Sequence, residues 1–513
     1  MSQQPMAATA PVENGVEKVD AKHYESNGFA DNGSDHEKGD TRSEGGIQKD
    51  IDADIDPVFL KRLRRKIDFR LIPVLSLMYA ISLIDRTNLA IARAANNNQM
   101  DRELELNING GDNNRYSVIT LVFFVPYIIF EIPSQIGLRK FGARIWLGSA
   151  VLLWGIVMLT MGWANNWSAL AAQRAILGLF ESALFPGAAY LISCWYPRKD
   201  IGVRTSIFYI SAAVAGSFAK PLGYCFSLLD GKGGLTGWRW LFIFYGALTI
   251  LIAVIGYLFI IDFPDKATYL TEEEKRIVTL RIQRDRADAA PDPLTAAKVW
   301  KYMLLWQPWL FAFMFMSTTT ATYSLAYFLP TILTQMGFNN IESMMLGTPA
   351  YFWAIVPAVV CGKVADKYRG TRAFMVMINA ACIIIGTCMY AKLPIAQKNA
   401  RFAGIFFAVG GGNSNVPLII SWQATAIRSQ SKRGYVSALS VAFGGIGGIL
   451  GSAIFFNKEA RRGYPTGVNM TLGLNAFTFA CAGFLHIYMR MMNRKADKGE
   501  TVIEGNEDFR YQP

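Results

Sequence analysis

Arg139-Lys-Phe-Gly-Ala-Arg144 and Asp366-Lys-Tyr-Arg-Gly-Thr-Arg372 are short basic turns whose glycines, Gly142 and Gly370, lie 228 residues apart. Each sits between two apolar runs. A helix needs roughly 20 mainly apolar residues to cross about 30 Å of hydrocarbon. Outward from the two turns, twelve stretches have that character: 70–94, 116–138, 145–164, 168–192, 204–228, 240–261, 308–335, 344–365, 373–391, 402–425, 434–456 and 468–490. The polar stretch Asp262–Gln307, with eight Lys/Arg and eight Asp/Glu, divides them six and six. The turns therefore follow the second and the eighth stretch, the same place in each set of six. The fold class expected is an all-α membrane protein of twelve transmembrane helices in two six-helix halves. Its expected parts are an acidic tail over 1–57, a half over 58–261, a linker over 262–307, a half over 308–490 and a tail over 491–513.

Composition agrees. Of 513 residues, 52% are hydrophobic and only 18% charged, against about a quarter charged in soluble domains. Mean hydropathy is +0.23. A soluble enzyme, a disordered chain and a collagen-like fibre are excluded. The net charge of +12 hides an asymmetry: residues 1–57 carry −8, residues 496–513 carry −3, and the body between them +23. The tail, rich in Gly, Ser, Asp and Glu, is expected to be disordered, and its polarity argues against a secretory signal. No continuous basic face is present to track phosphates, so no nucleic-acid partner is expected. Six cysteines without a C-x-x-C pair form neither a disulfide framework nor a zinc site. Two of the three histidines, His23 and His36, lie in the tail. No metal, no cofactor and no enzymatic activity are expected.

Orientation follows from Lys and Arg in the connections. Lys61 to Lys66, Arg139/Lys140/Arg144, Arg198/Lys199/Arg204, Lys363/Lys367/Arg369/Arg372 and Arg428/Lys432/Arg433 all fall on one side, with both termini. The first opposite connection is acidic (Asp101, Glu103, Glu105, Asp112). Lys392/Lys398/Arg401 and Lys458/Arg461/Arg462 disagree. The majority places both termini in the cytoplasm.

Two six-span halves repeated in parallel resemble the major facilitator transporters. That family's loop pattern, G-x-x-x-D-[RK]-x-G-[RK]-[RK], is matched in the second turn by Gly362, Asp366, Lys367 and Gly370, with Arg369 inserted. The first turn keeps Lys140, Gly142 and Arg144, with Gln135 and Arg139 at the Gly and Asp positions. The resemblance implies a cytoplasmic gate latch; positive-inside anchoring accounts for part of the same pattern.

Ionisable side chains at membrane depth are site candidates because they are costly there. Asp85 and Arg86 interrupt the first span, and Arg174 and Glu181 the fourth. Seven residues turn about 700° in a helix and rise about 10 Å, so Arg174 and Glu181 share a face, with Gly178 between them leaving room for a helix or a ligand. A guanidinium holds a carboxylate through two parallel hydrogen bonds. The expectation is that Arg174 keeps Glu181 ionised until a substrate carboxylate competes for it. Glu181, losing its partner, then takes a proton, and the two binding events promote each other. Asp85 is a second proton-coupling candidate and Arg86 a second anion clamp. The competing reading is a set of buried salt bridges or inner gates.

Asp85-Arg-Thr-Asn88, Arg174-x-x-x-Gly-x-x-Glu181, Phe130-Glu-Ile-Pro-Ser134 and Gly237-Trp-Arg-Trp-Leu-Phe242 resemble the anion:cation symporter branch, in particular its fungal allantoate- and nicotinate-permease group. The resemblance implies organic-anion transport, usually coupled to protons. Lys220, in Gly216-Ser-Phe-Ala-Lys-Pro-Leu-Gly223, stands where an antiporter motif has glycine; it clamps a substrate acid, pairs with Glu131 or snorkels to headgroups. Ser317–Thr320, Thr322 and Tyr323 supply hydroxyls to span seven, and Tyr323 and Asn413 are further substrate-binding candidates. Gly410-Gly-Gly-Asn-Ser-Asn415 with Pro417 is expected to break span ten, and the glycines of span eleven to pack helices closely. The expected function is proton-coupled uptake of a small organic anion, nicotinate- or allantoate-like, by alternating access in the plasma membrane. The alternative is export of an acidic secondary metabolite. The expected partners are the anion, protons and the lipid bilayer, and the expected state is a monomer.

Overall fold

The computed structural model describes residues 52, 54–94, 99–106, 115–219, 222, 225, 226, 228–286, 294–368, 370–454, 459 and 463–513. Lys220, Arg369, Lys458, Arg461, Arg462 and nearly all of the acidic N-terminal tail lie outside the described residues. The helices used below are α1 (Pro57–Ala94), α2 (Arg115–Phe141), α3 (Ala143–Met161), α4 (Trp167–Glu181), α5 (Leu184–Trp195), α6 (Ile201–Ser217), α7 (Gly237–Phe259), α8 (Glu272–Arg286), α9 (Ala296–Met303), α10 (Trp306–Gln335), α11 (Gly347–Trp353), α12 (Ile355–Lys367), α13 (Arg372–Lys392), α14 (Lys398–Ala426), α15 (Gln430–Ala453) and α16 (Pro465–Asp497).

Among the described residues, ten helical segments are long and apolar enough to cross a membrane, α4–α5 and α11–α12 each counting as one. The fifth expected span contributes the 17-residue apolar helix α6. The seventh is the 30-residue α10, whose Ser317–Thr320 run dilutes its hydropathy. Two interruptions have the same cause. Pro186 has no N–H for the carbonyl four residues earlier, at Ser182, and Pro357 none for Trp353; the helices divide beside those carbonyls, at Ser182–Ala183 and Ala354.

Three boundaries differ from the sequence expectation. The first helix begins at Pro57 rather than about residue 70, because Asp56 accepts the orphan N–H groups of Val58 (3.0 Å) and Phe59 (3.1 Å). The acidic tail is anchored at its end: Asp52 pairs with Arg64 (2.7 Å), Lys199 (2.8 Å) and Arg281 (2.7 Å). Span ten is unbroken, since α14 runs through Gly410–Asn415 and Pro417. Asn413 Nδ2 donates to the Val409 carbonyl (2.9 Å) and Ser414 Oγ to that of Gly410 (2.6 Å), satisfying backbone within the turn. The glycines admit neighbours instead: a Cβ at Gly411 would meet the Asn379 carbonyl, and one at Gly410 the Trp353 ring.

The linker helix α8 opens with a capping box: Thr271 Oγ1 accepts from Glu274 N (3.2 Å) and Glu274 Oε2 from Thr271 N (2.9 Å). Close helix packing uses small residues. Gly444, Gly447 and Gly451 lie on Phe315, Met316 and Thr320 of α10, while Gly448 and Gly445 lie on Phe124 and Ile128 of α2. A seam between α2 and α15 thus joins the first six spans to the last six.

Candidate functional site

A cavity of about 130 Å³ lies between the first and last six spans. Its lining comes from α1, α2, α5 and α6 on one side and α10, α11, α14 and α15 on the other. Six tyrosines face it: Tyr79, Tyr127, Tyr209, Tyr323, Tyr327 and Tyr351. Thr87, Thr319, Thr322 and Asn413 add uncharged polar groups. Arg86 is the one charged residue among the described lining. The lining reaches Gly216, Ser217 and Thr348 at the end remote from the described termini. We call the opposite end, where α1 begins and α16 finishes, the terminal end.

Arg86 is fully engaged. Nε donates to Glu181 Oε1 (2.5 Å), Nη1 to the Tyr323 hydroxyl (2.8 Å) and Nη2 to that of Tyr127 (2.9 Å). The guanidinium also lies 4.7 Å from the centre of the Tyr127 ring, a cation–π contact. Glu181 takes a second donor, Ser82 Oγ (2.5 Å), and is wholly buried.

This corrects the expected pairing: Glu181 is held by Arg86 and not by Arg174. Successive helical residues point about 100° apart, so Arg86 turns to the cavity while Asp85 turns behind it. There Asp85 accepts hydrogen bonds from Asn88 Nδ2 (3.2 Å), Trp154 Nε1 (3.2 Å) and Thr249 Oγ1 (3.0 Å). Arg174 Nη1 reaches the Asp85 backbone carbonyl at 3.4 Å, and its Nε and Nη2 have no hydrogen-bond partner among the described residues. The four charges cluster, but only Arg86 lines the cavity; Asp85, Arg174 and Glu181 form a buried layer behind it. Gly178 makes room for a helix, its Cα lying against the Phe123 carbonyl of α2.

Of the other candidates, Tyr323 and Asn413 line the cavity, and Lys220 lies outside the described residues. Each hydroxyl of Ser317–Thr320 and of Thr322 donates to the carbonyl four residues earlier, so these groups first satisfy their own helix. Tyr127, Tyr79, Tyr209, Tyr327 and Tyr351 escaped the sequence reading, as did Ser82, Trp154 and Thr249; nothing in their spacing separates them from packing residues.

The two turns form contacts at the terminal end. Asp366 accepts from the backbone N–H groups of Gly202 (2.8 Å) and Val203 (2.9 Å), at the start of α6 in the opposite half. A carboxylate at a helix N-terminus meets unpaired donors and the positive end of the dipole. Gly362 lets the helices approach, a Cβ there meeting Ser206 and the Gly202 carbonyl, and Gly370 supplies a positive φ of 78°. Arg372 Nη2 adds a bond to the Arg198 carbonyl (2.7 Å). In the first turn Arg139 Nη2 donates to Gln430 Oε1 at the start of α15 (2.5 Å). Gly142 has a φ of 89°; the carboxylate of Asp262 lies against it and accepts from Ala143 N (2.9 Å). Arg144 donates to the Tyr257 carbonyl (2.6 Å), while Lys140 and Lys367 lie over the neighbouring rings of Phe141 and Tyr368.

A helical membrane protein with two sets of spans around a central cavity, hydrogen-bonded to each other at one end through the repeated turns, is the class this arrangement defines. The chain belongs to the Major Facilitator Superfamily, whose family model matches residues 75–452. It is 28% identical over 457 residues to the MFS transporter prlL of Fungal sp. (strain NRRL 50135), covering 87% of this chain and 90% of that one. It is 27% identical over 452 residues to a putative tartrate transporter of Agrobacterium vitis, covering 84% and 91%. Among solved structures, the proton:xylose symporter XylE shares the fold with a TM-score of 0.61 at 14% identity, covering 83% and 96%. The protein is a multi-pass membrane transporter.

Proposed function

We propose that this transporter takes up a small organic anion together with a proton by alternating access, in the plasma membrane, as a monomer with both termini cytoplasmic. The observation that carries the reading is Arg86: a cation facing an aromatic cavity, tied to a buried carboxylate on one side and to a tyrosine of each half on the other. A substrate carboxylate competes for Nη1 and Nη2, displacing the hydroxyls of Tyr323 and Tyr127. Its charge offsets that of Arg86, and Glu181, less strongly held, takes up a proton. Linkage makes the effect mutual: protonating Glu181 frees Arg86 for the anion. Because Tyr323 belongs to the second half, the exchange also breaks a bond between the halves. Asp85 and Arg174, one layer behind, are proposed as a proton relay and its electrostatic support, and Asn413 as a polar contact at the far wall.

Aromatic walls suit a flat anion, so nicotinate is the first probe and allantoate the second. The tartrate named for the bacterial relative is also a carboxylate. Protein in liposomes with an acid exterior should accumulate labelled nicotinate or allantoate, and a protonophore or Glu181→Gln should abolish accumulation. Movement only from inside to outside would turn the reading to export of an acidic metabolite. Binding without flux in either direction would overturn it.

A further inference from the structure

Glu131 plays no part in the site described above, yet it is a wholly buried carboxylate at membrane depth. It lies on α2 at 0% exposure, and neither carboxylate oxygen has a hydrogen-bond partner among the described residues. No cation lies within ion-pair distance of it among the described pairs. One turn earlier Tyr127 faces the cavity, with its hydroxyl engaged by Arg86. One turn later Gln135 is likewise buried, with both side-chain amide atoms unpartnered. Residues 124, 128, 131 and 135 recur at helical spacing and share one face. That face runs along the α2–α15 seam: Phe124 meets Gly448, Ile128 meets Gly445, and Arg139 reaches Gln430. Glu131 therefore lies one turn behind the cavity lining, on the α2 face that runs from Tyr127 towards the terminal-end contacts, where the halves meet.

The groups that face it are few. Arg86 of α1 and Glu181 of α4 act on it from the cavity side; from its own helix the Tyr127 hydroxyl, which accepts from Arg86, is the nearest donor, outside good hydrogen-bond geometry. From Val436 to Ala453, α15 contains no ionisable residue, and α5 offers only Tyr190 and Cys194. A carboxylate in such a place is strongly disfavoured as an anion without a partner. Parting of the seam is what would bring water to it.

We propose that Glu131 is a proton-binding site that opens with the latch: its carboxyl holds a proton while the seam is closed and releases it to terminal-end water when the seam parts. This deepens the proton-coupled reading above and rests on it for its role in transport. The closed conformation carries the proton in, the open one lets it go, and the ionised carboxylate then opposes reclosure until it is protonated again. Glu181 senses the anion; Glu131 senses the conformation.

The test needs no substrate. Phe141 and Tyr368 are exposed at the terminal ends of α2 and α12, in opposite halves. Cysteines placed there carry spin labels, and their separation is read by pulsed electron resonance in lipid nanodiscs across a pH series. The expected result is a short distance at low pH, lengthening as the pH rises. In Glu131→Gln the short distance should persist at every pH; in Glu131→Asp the pH dependence should return. A carboxylic-acid infrared band present at low pH should vanish in Glu131→Gln and survive in Glu181→Gln and Asp85→Asn. A pH-dependent distance unchanged by Glu131→Gln, or a distance that ignores pH in the parent protein, would overturn the proposal. Absence of nicotinate and allantoate flux leaves these readouts untouched, so the two readings fail separately.

Discussion

The two halves of this transporter meet around one cavity but bring different chemistry to it. The first half contributes Arg86 to the lining, with Glu181, Asp85, Arg174 and Glu131 buried behind. Among the described residues the second contributes no charged group to the lining, which there consists of aromatic rings, aliphatic side chains, hydroxyls, glycines and Asn413. In the proposed cycle one half handles charge, and the other shapes the chamber and moves against it. The bond from Arg86 to Tyr323 is where the two tasks touch.

The comparison breaks most easily at Arg86. Arg86→Ala leaves Glu181 buried without its cation, a loss of about 3–5 kcal/mol for a severed buried pair, and removes the proposed anion clamp. Nicotinate flux in liposomes should fall at least about 100-fold, each 1.4 kcal/mol being a factor of ten. Arg86→Lys keeps the charge but loses the planar fork that serves Glu181, Tyr323 and Tyr127 together, and should recover only a small part. If flux survives Arg86→Ala, charge handling does not reside where the cavity places it.

Glu181→Gln should come next. The side chain keeps its shape and its bond with Ser82, so binding should persist while coupling fails. We expect counterflow of labelled nicotinate to continue and pH-driven accumulation to be lost. Loss of both together would make Glu181 a structural partner of Arg86 and nothing more.

Much of this was legible in the sequence, and the limits are instructive. The helices follow from apolar run length, the position of the two turns that touch the opposite half from their repeated glycine-and-charge pattern, and the charged cluster from the cost of charge at membrane depth. The partner of Glu181 was not legible, because Arg86 and Arg174 both lie within a long side chain's reach and only the helix rotations choose between them. The supposed break at Gly410–Asn415 failed for a related reason: glycines that look like a break in one dimension are contact points in three, taken up by Trp353 and the Asn379 carbonyl. Tyrosines lining a cavity carry no signature that distinguishes them from tyrosines packed in a core.

The latches sharpen the comparison at the terminal end. The second half reaches across with an anion, Asp366, onto the first turn of α6; the first half reaches back with a cation, Arg139, onto one neutral side chain, Gln430. Asp366→Asn loses two charge-assisted bonds and should favour the open latch by about 1.5–3 kcal/mol, visible as a longer distance between labels at 141 and 368. Arg139→Gln should move the same distance distribution by much less. Equal effects would mean that the two turns remain functionally symmetric despite their sequences.

The smallest effect belongs to the margin of the charged half. Asp52 holds Arg281, Lys199 and Arg64 together, tying the segment before α1 to the linker. Burial pushes its carboxyl up, but hydrogen bonds and attraction from Arg281 and Lys199 outweigh this and hold it below the usual carboxylate range. A depressed carboxyl stabilises the folded state fully above the unfolded pKa, about 3.9, and ceases to do so as the pH falls through the lower folded value. Asp52→Asn should therefore cost about 1 kcal/mol or less near neutrality, given how weak partly solvated pairs are. The difference in thermal midpoint between parent and variant should shrink as the pH is taken from 6 towards 3. A midpoint difference that stays constant over that range would show that the cluster acts by packing and not by charge, and the electrostatic specialisation of the first half would then stop at the membrane.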